Sequence, residues 1–364
     1  MRKTFKYRLY PSGHQAQALD DQLGEACRLY NAALQERRDA YQYAGRSLSY
    51  YDQANQLKDI RAEGACGLAN FSCSQDVLRR VDKTFKAFFG RVQRGETPGY
   101  PRFKPHSRYD SMTFPSYGDG TRLRDNGKLY VQGVGEIKVK LHRPVAGPIK
   151  TVTVKREAGR WYVCFSVEMD AVPDTQIYND IGLDLGLESF AVLSDGTVIS
   201  NPRWYRQAQA KLRRAQRRVA RRTRGSKGRR KAVQSLQRAQ AHVRHTRRDF
   251  HHKVARALVE RYSVIFVEDL TIKGMARGML AKSVSDAAWG GFLQILRDKA
   301  KEAGCVVWGV NPSGTSQTCT CGAPVPKTLS QRWHHCLACG LSLARDHVSA
   351  LLIQGLGRSL VSLT

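Results

Sequence analysis

The sequence is short of acid. Its 364 residues carry 31 Asp plus Glu against 60 Lys plus Arg, a net charge of +29. An isolated fold with that excess repels itself, so a polyanion is expected beside it, nucleic acid before an acidic membrane surface. Long apolar runs are missing too. None approaches the ~18 residues that span a bilayer, and the opening Met-Arg-Lys-Thr-Phe-Lys-Tyr-Arg has no signal-peptide core. A soluble cytoplasmic protein is expected, without a membrane partner. The nine cysteines form no disulfide framework: Cys27, Cys66, Cys73, Cys164 and Cys305 are scattered singly and read as buried thiols. The other four crowd into residues 319–339, as metal ligands do in a reducing compartment. No internal repeat is seen. A basic structural protein of the ribosomal kind would fit the charge, but it would carry no catalytic constellation.

What is present divides the chain. "RKTFKYRLY" at 2–10 alternates basic and apolar residues as a strand does, and Pro11 ends it. Helical spacing follows from about His14 to Gly45 and again from Ser74 to Arg91, before Gly95, Pro98, Gly99, Pro101 and Pro105 break the pattern. From Met112 to Glu168 short alternating or β-branched runs predict strands. The strand at 2–10 is expected to join them, making the helices an insertion, with a linker at Pro173–Asn179. The remainder reads as α/β. "DIGLDLGL" and "FAVLSDGTVIS" predict a hairpin with Ser194-Asp195-Gly196 near its turn, "SVIFVEDL" a buried strand, and Ala287–Ala303 a helix. "CVVWGV" predicts another strand, and a last helix is expected from about Arg345 to Gly355.

Between Arg203 and Arg248 stand eighteen Lys or Arg and no acid. The hinge "TRGSKG" divides two helical runs, which predicts a basic hairpin over 203–261. A merely solvated helix face mixes both signs. This one needs phosphates, and Arg213, Arg214, Arg217, Arg218, Arg221 and Arg222 are the candidate contacts. Such contacts follow the backbone and carry affinity rather than sequence choice.

Three carboxylates stand where chemistry could use them. In "IGLDLGL", alternation puts Ile181, Leu183, Leu185 and Leu187 on one face and Gly182, Asp184 and Gly186 on the other. Asp184 is thus flanked by residues without side chains, with room expected for ions and a phosphodiester. Glu268 and Asp269 stand at the carboxyl end of "SVIFVEDL" and supply a second acid, since ligands of α/β sheets sit beyond the carboxyl ends of strands. Asp346 opens the final helix, where an Asp is most often a cap. Singly, each could be an ordinary surface or capping acid. Together they have the layout of a ribonuclease H-like nuclease core, in which three carboxylates hold two Mg2+ ions, or Mn2+ in their place.

The last module is "CTCGAPVPKTLSQRWHHCLACG". Cys336 and Cys339 have the two-residue gap of a zinc knuckle, whereas Cys319 and Cys321 are separated by one residue. The fourteen residues between Cys321 and Cys336 nearly match a zinc ribbon. A structural Zn2+ on Cys319, Cys321, Cys336 and Cys339 is expected, with His334 or His335 able to replace a strained thiolate. Four metal-free buried cysteines are the alternative.

Several motifs in register resemble the TnpB family, transposon-encoded relatives of compact type V CRISPR effectors. They are "KTFKYRLYPSGHQAQAL", "PGYPRFK", "IGLDLGL", "VEDLTIKGM", "SDAAWGGFLQILRDKAKEAG" and "NPSGTSQTC", then the cysteines and "RD". The resemblance implies a mixed α and β, multidomain fold: an N-terminal β-barrel wedge (1–12 and 96–176) with a helical recognition insertion (13–95), then a RuvC-like ribonuclease H-type α/β domain (177–364) with an inserted zinc ribbon (315–342). It implies an RNA-guided DNA endonuclease whose catalytic acids are Asp184, Glu268 and Asp346. The expected partners are a guide RNA from the transposon end, with the protein a monomer on it, and double-stranded target DNA bearing a short flanking motif. Arg102, Lys104, Tyr51 and Gln75 are candidates for reading that motif. The family's usual Asp two residues before the third acid is Ala344 here, and its Asn-Ala-Ala is Val348-Ser349-Ala350. A guided DNA-binding repressor that does not cut, and a transposase that joins strands, are the competing readings. The sequence has no His-hydrophobe-His and Tyr nucleophile arrangement of single-strand transposases.

Overall fold

The computed structural model describes residues 1–170, 179–328 and 330–361, so the expected linker lies almost wholly outside the described residues. The chain forms two compact units, Met1–Asp170 and Ala171–Thr364. No described helix is long and apolar enough to cross a membrane.

The first unit begins with β1 (Arg2–Tyr10), whose alternation buries Phe5, Tyr7 and Leu9. Three helices follow: α1 (Gly13–Ala44), α2 (Tyr50–Ala62) and α3 (Phe71–Gln93). A capping box starts α1, with Ser12 Oγ accepting from Gln15 N and the Gln15 side chain accepting from Ser12 N. The strands β2 (Ser111–Phe114), β3 (Thr121–Leu123), β4 (Lys128–Val131), β5 (Gly135–Lys140), β6 (Ile149–Glu157) and β7 (Arg160–Glu168) complete it. They form one sheet in the order β2-β6-β7-β1-β5-β4-β3, so β1 does join the later strands, antiparallel to both neighbours. Leu19, Leu23, Tyr30 and Leu34 of α1 and Val77, Leu78 and Val81 of α3 share a single core with Phe5, Tyr7, Val163 and Phe165. The inserted helices are therefore built into the sheet's own core.

The sheet is not a closed barrel, since no ladder joins β2 to β3 among the described residues. It is nevertheless curled. Flat, its six interstrand gaps would separate the two outer strands by about 29 Å. The seven chain steps from Phe114 to Thr121 reach at most about 25 Å.

The second unit holds β8 (Asp180–Asp184), β9 (Ser189–Leu193), β10 (Val198–Ser200), α4 (Trp204–Ala220), α5 (Lys227–Val259), β11 (Val264–Glu268), α6 (Ile272–Met275), α7 (Ala281–Ala287) and α8 (Trp289–Ala303). After them come β12 (Val306–Val310), the short strands β13 (Trp333–His335) and β14 (Ser342–Ala344), and α9 (Arg345–Val361). The main sheet has the order β10-β9-β8-β11-β12, with β8, β11 and β12 parallel and the first two strands antiparallel. Both faces are covered, as the apolar run at 264–267 requires. Ile265 and Val267 pack with Leu258 of α5 and with Phe292 and Leu296 of α8. Val264 and Phe266 pack with Ile353 of α9.

Four expectations need correction. The Ser194-Asp195-Gly196 turn joins β9 to β10, and the first hairpin turns at 185–188 instead. The helix expected from Ala287 starts at Trp289, because Ala288 takes a left-handed conformation with φ of 52°. The final helix runs past Gly355 to Val361. Of the scattered thiols, Cys66 and Cys164 are half-buried rather than buried.

Candidate active site and metal centre

Register alone brings two of the acids together. In the parallel pair β8/β11, Leu183 lies opposite Val267, so the next residues, Asp184 and Glu268, end neighbouring strands about 4.8 Å apart. Alternation also fixes their face. Asp184 shares the face of Gly182, and Glu268 that of Phe266, both turned toward α9. Asp346 lies in the first turn of that helix.

The glycines explain how α9 comes so close, and they correct one expectation. A Cβ on Gly182 would stand 2.1 Å from Ala350 O and 2.8 Å from Gln354 N. The space beside Gly182 is filled by the backbone of α9 and is not free for a ligand. On the helix side, a Cβ on Gly357 would stand 2.1 Å from Cδ1 of Phe266. Gly186 faces the third acid, since its Cβ would lie 3.9 Å from Asp346 Oδ2. Of the positions that depart from the family pattern, Val348 and Ser349 are buried and Ala344 is exposed opposite Trp333, while Ala350, which keeps the pattern, supplies the contact with Gly182.

The electrostatics record the convergence. Burial, then the charges of Glu268 and Asp346, push the Asp184 carboxyl up to about 8, against the pull of Arg345. Burial also raises Glu268, opposed by a hydrogen bond from Thr315, whose Oγ1 lies 2.5 Å from Glu268 Oε1. Arg345 Nε donates to Asp346 Oδ1 at 3.1 Å. Asp184 and Glu268 at adjacent strand ends, with Asp346 near enough to act on Asp184, offer oxygen donors of the kind that suits hard divalent cations, although the three do not all bring a ligand atom within 4.8 Å of one another. Sequence reasoning missed Thr315 and Arg345, although "NPSGTSQTC" and "RD" contain them.

The four cysteines form the only group of three or more His, Cys, Asp or Glu, among the described residues, whose ligand atoms all lie within 4.8 Å of one another. The one-residue gap is accommodated by a shorter turn. Gly322 N donates to Cys319 O in the first knuckle, an i to i+3 bond, whereas Gly340 N donates to Cys336 O in the second, an i to i+4 bond. Both glycines take positive φ, 89° and 75°. The sulfur separations are 3.6 Å for Cys319–Cys339 and 3.7 Å for Cys321–Cys336. A tetrahedron with metal–sulfur bonds of 2.3 Å has edges of about 3.8 Å, so the donor set fits Zn2+. Burial opposes ionisation of Cys319, yet the Cys321 N–H, His334 and the neighbouring thiols bring it down to about 5. His334 thus sits beside a sulfur rather than replacing one.

The basic hairpin is α4 and α5, joined through 221–226. Arg213, Arg214, Arg217, Arg218, Arg221 and Arg222 are all exposed, and none is in an ion pair among the described residues. Arg214, Arg217, Arg218, Arg221 and Arg222 line one groove. The start of α4 is held from elsewhere in the unit: buried Asp286 accepts from Tyr205 N at 2.8 Å and Arg206 N at 3.2 Å. In the first unit, Arg102 is exposed and lines a groove with Arg38, Tyr41 and Phe103. Lys104 is half-buried, its Nζ 4.3 Å from the Tyr30 ring centre. Tyr51 on α2 is exposed and Gln75 on α3 half-buried.

These features define a mixed α/β protein of two units, with converging acids at strand ends and an inserted four-cysteine module. Residues 152–279 match the family model described as "Probable transposase", residues 289–353 one described as "Cas12f1-like, TNB domain", and residues 1–46 one described as "Helix-turn-helix domain". The last description does not suit the structure, where those residues form β1 and the single helix α1. A Streptomyces pristinaespiralis protein named "Putative RNA-guided DNA endonuclease" is 34% identical over 298 residues, 79% of this chain and 72% of the relative. An Escherichia coli K12 protein, "Putative RNA-guided DNA endonuclease InsQ", is 28% identical over 92% of this chain and 87% of its own. Among solved structures, the mini-RNA-guided endonuclease CRISPR-Cas_phi3 shares the fold with a TM-score of 0.51 at 10% identity, covering 98% of this chain and 92% of that one. The chain belongs to the OrfB/IS605 family, also called TnpB.

Proposed function

We propose that this chain is a transposon-encoded, RNA-guided DNA endonuclease that hydrolyses phosphodiester bonds at Asp184, Glu268 and Asp346 of a ribonuclease H-like, RuvC-type unit. The observation that carries the reading is the meeting of Asp184 and Glu268 at adjacent strand ends under the first turn of α9. Two divalent cations bound there, Mg2+ or Mn2+, would supply an acidified water and neutralise charge on the leaving oxygen. The chain itself contributes carboxylate oxygens from three separate elements, a hydroxyl on Glu268, and Arg345 beside Asp346 to temper the local charge.

The remaining parts take roles that follow from their chemistry. The acid-free hairpin tracks phosphates of the guide RNA or of the guide–target duplex. The ribbon holds Zn2+ as a structural ion. The first unit serves as wedge and recognition region, where Arg102, Lys104, Tyr51 and Gln75 read the flanking motif, and the protein acts as a monomer on its RNA in the cytoplasm. Purification should yield a defined RNA encoded beside the gene, identified by sequencing. With that RNA and Mg2+, the protein should cut matched DNA. Asp184→Ala should stop cutting and leave RNA binding within about threefold, because the acid adds nothing to phosphate contacts. Mg2+-dependent cutting by Asp184→Ala would refute the site.

A further inference from the structure

We infer that Thr315 is a positioning residue for the acidic site, its hydroxyl holding one oxygen of Glu268 so that the other is presented to a divalent cation. The inference rests on the nuclease reading of the three acids.

Thr315 is 4% exposed, in the loop between β12 and the first cysteine knuckle. Its Oγ1 lies 2.5 Å from Glu268 Oε1 and 3.1 Å from Pro312 O. A hydroxyl has one proton to give, and the carboxylate is both nearer and the stronger acceptor. Glu268 Oε2 receives no protein donor among the described residues. The last torsion of a glutamate is broad and roughly two-fold, so a carboxylate at a strand end could turn freely between Asp184 and the loop. Fixing Oε1 removes that freedom and selects one presentation of Oε2. The anchor is itself braced by the helix that carries Asp346: buried Ser349, three residues further on, has its Oγ 3.5 Å from Thr315 O. One residue therefore touches both the acid on β11 and the helix that delivers the third. Partners that orient metal ligands in this way are commonly worth 10- to 100-fold in metal affinity.

The test is calorimetric titration of Mn2+ into zinc-loaded full-length protein without nucleic acid, counting only the binding abolished by Asp184→Asn. Thr315→Val keeps the size and removes the hydroxyl; Thr315→Ser keeps the hydroxyl. The valine variant should bind Mn2+ about 10- to 100-fold more weakly, and the serine variant within about threefold of the parent. Zinc content should be unchanged in both. Parent-like Mn2+ binding by Thr315→Val would overturn the inference. So would equal weakening in both variants, which would assign the effect to packing, or loss of zinc from the valine variant, which would assign it to the ribbon. A parent that binds no Mn2+ would overturn the nuclease reading itself, and the inference with it.

Discussion

Replacing Gly182 by alanine tests whether the acidic site depends on how closely α9 lies on β8. The new Cβ would meet Ala350 O at 2.1 Å and Gln354 N at 2.8 Å. A carbon–oxygen contact settles at about 3.3 Å or more, so the helix must retreat by roughly 1.2 Å. Both neighbours are backbone atoms of a regular helix, and no rotamer change relieves them. Overpacking of this kind costs about 1–3 kcal/mol. For a unit of this size that lowers the melting temperature by roughly 2–12 °C. Activity should suffer more than stability, because the retreating helix carries Asp346 away from Asp184. A displacement near 1 Å can cost about 100-fold in rate. Gly355→Ala on the same helix is the control. Nothing lies within 4 Å of its Cβ, and alanine there should stabilise the helix by up to about 1 kcal/mol. Thermal melts and guided cleavage of a matched duplex, run on both variants, give the answer. A Gly182→Ala protein that melts and cuts like the parent would refute the argument that this glycine sets the position of the third acid.

Other expectations follow from the charges and the sulfurs. In metal-free protein the Asp184 carboxyl is held up to about 8, so the folded state keeps a proton that the unfolded chain releases near pH 4. Stability should fall as pH rises from about 4 to about 8, by at most ~1.4 kcal/mol per unit, and Asp184→Asn or saturating Mg2+ should flatten that slope in urea denaturation. A parent with no such slope would argue against a crowded acid. Changing Arg213, Arg214, Arg217 and Arg218 to Gln should weaken nucleic-acid binding and reduce the log–log salt slope by up to about 3–4; an unchanged slope for both RNA and DNA would remove the hairpin from the interface. Metal analysis should find one Zn2+ per chain, lost in Cys336→Ser, and a zinc-free parent would refute the ribbon.

The parts of this protein that could be read from its sequence are those with a period or a fixed spacing. Asp184 and Glu268 stand at the ends of apolar strand patterns, so their places in the sheet followed from alternation. The cysteine spacing marked a metal module despite its short first gap. What could not be read depends on partners far along the chain. Gly182 resembled open space because nothing near it names Ala350 as its neighbour. Thr315 is a hydroxyl in a loop and has no pattern to reveal it. Residues 50–62 bury only Gln53 and Leu57, too little for an apolar stripe. The Ser49–Asp52 capping box that starts α2 is seen only in the structure. The barrel expected of the first unit is open between β2 and β3, because pairing of outer strands is a matter of curvature and not of composition.

The placement of β1 has a consequence for how the first unit comes into being. Arg2 pairs with Glu168 and Leu9 with Trp161, while Arg8 through Tyr10 pair with Lys140 through Lys138. The strand joins two three-stranded halves, β2-β6-β7 on one side and β5-β4-β3 on the other. Neither half can find its mate until a loop of more than a hundred residues has closed, and closures of such length slow folding. During that wait the helices can form locally while β7 and β5 each have an edge unpaired. A freshly made first unit should therefore be most prone to aggregation before β1 docks, and early chaperone capture would guard it best at that step.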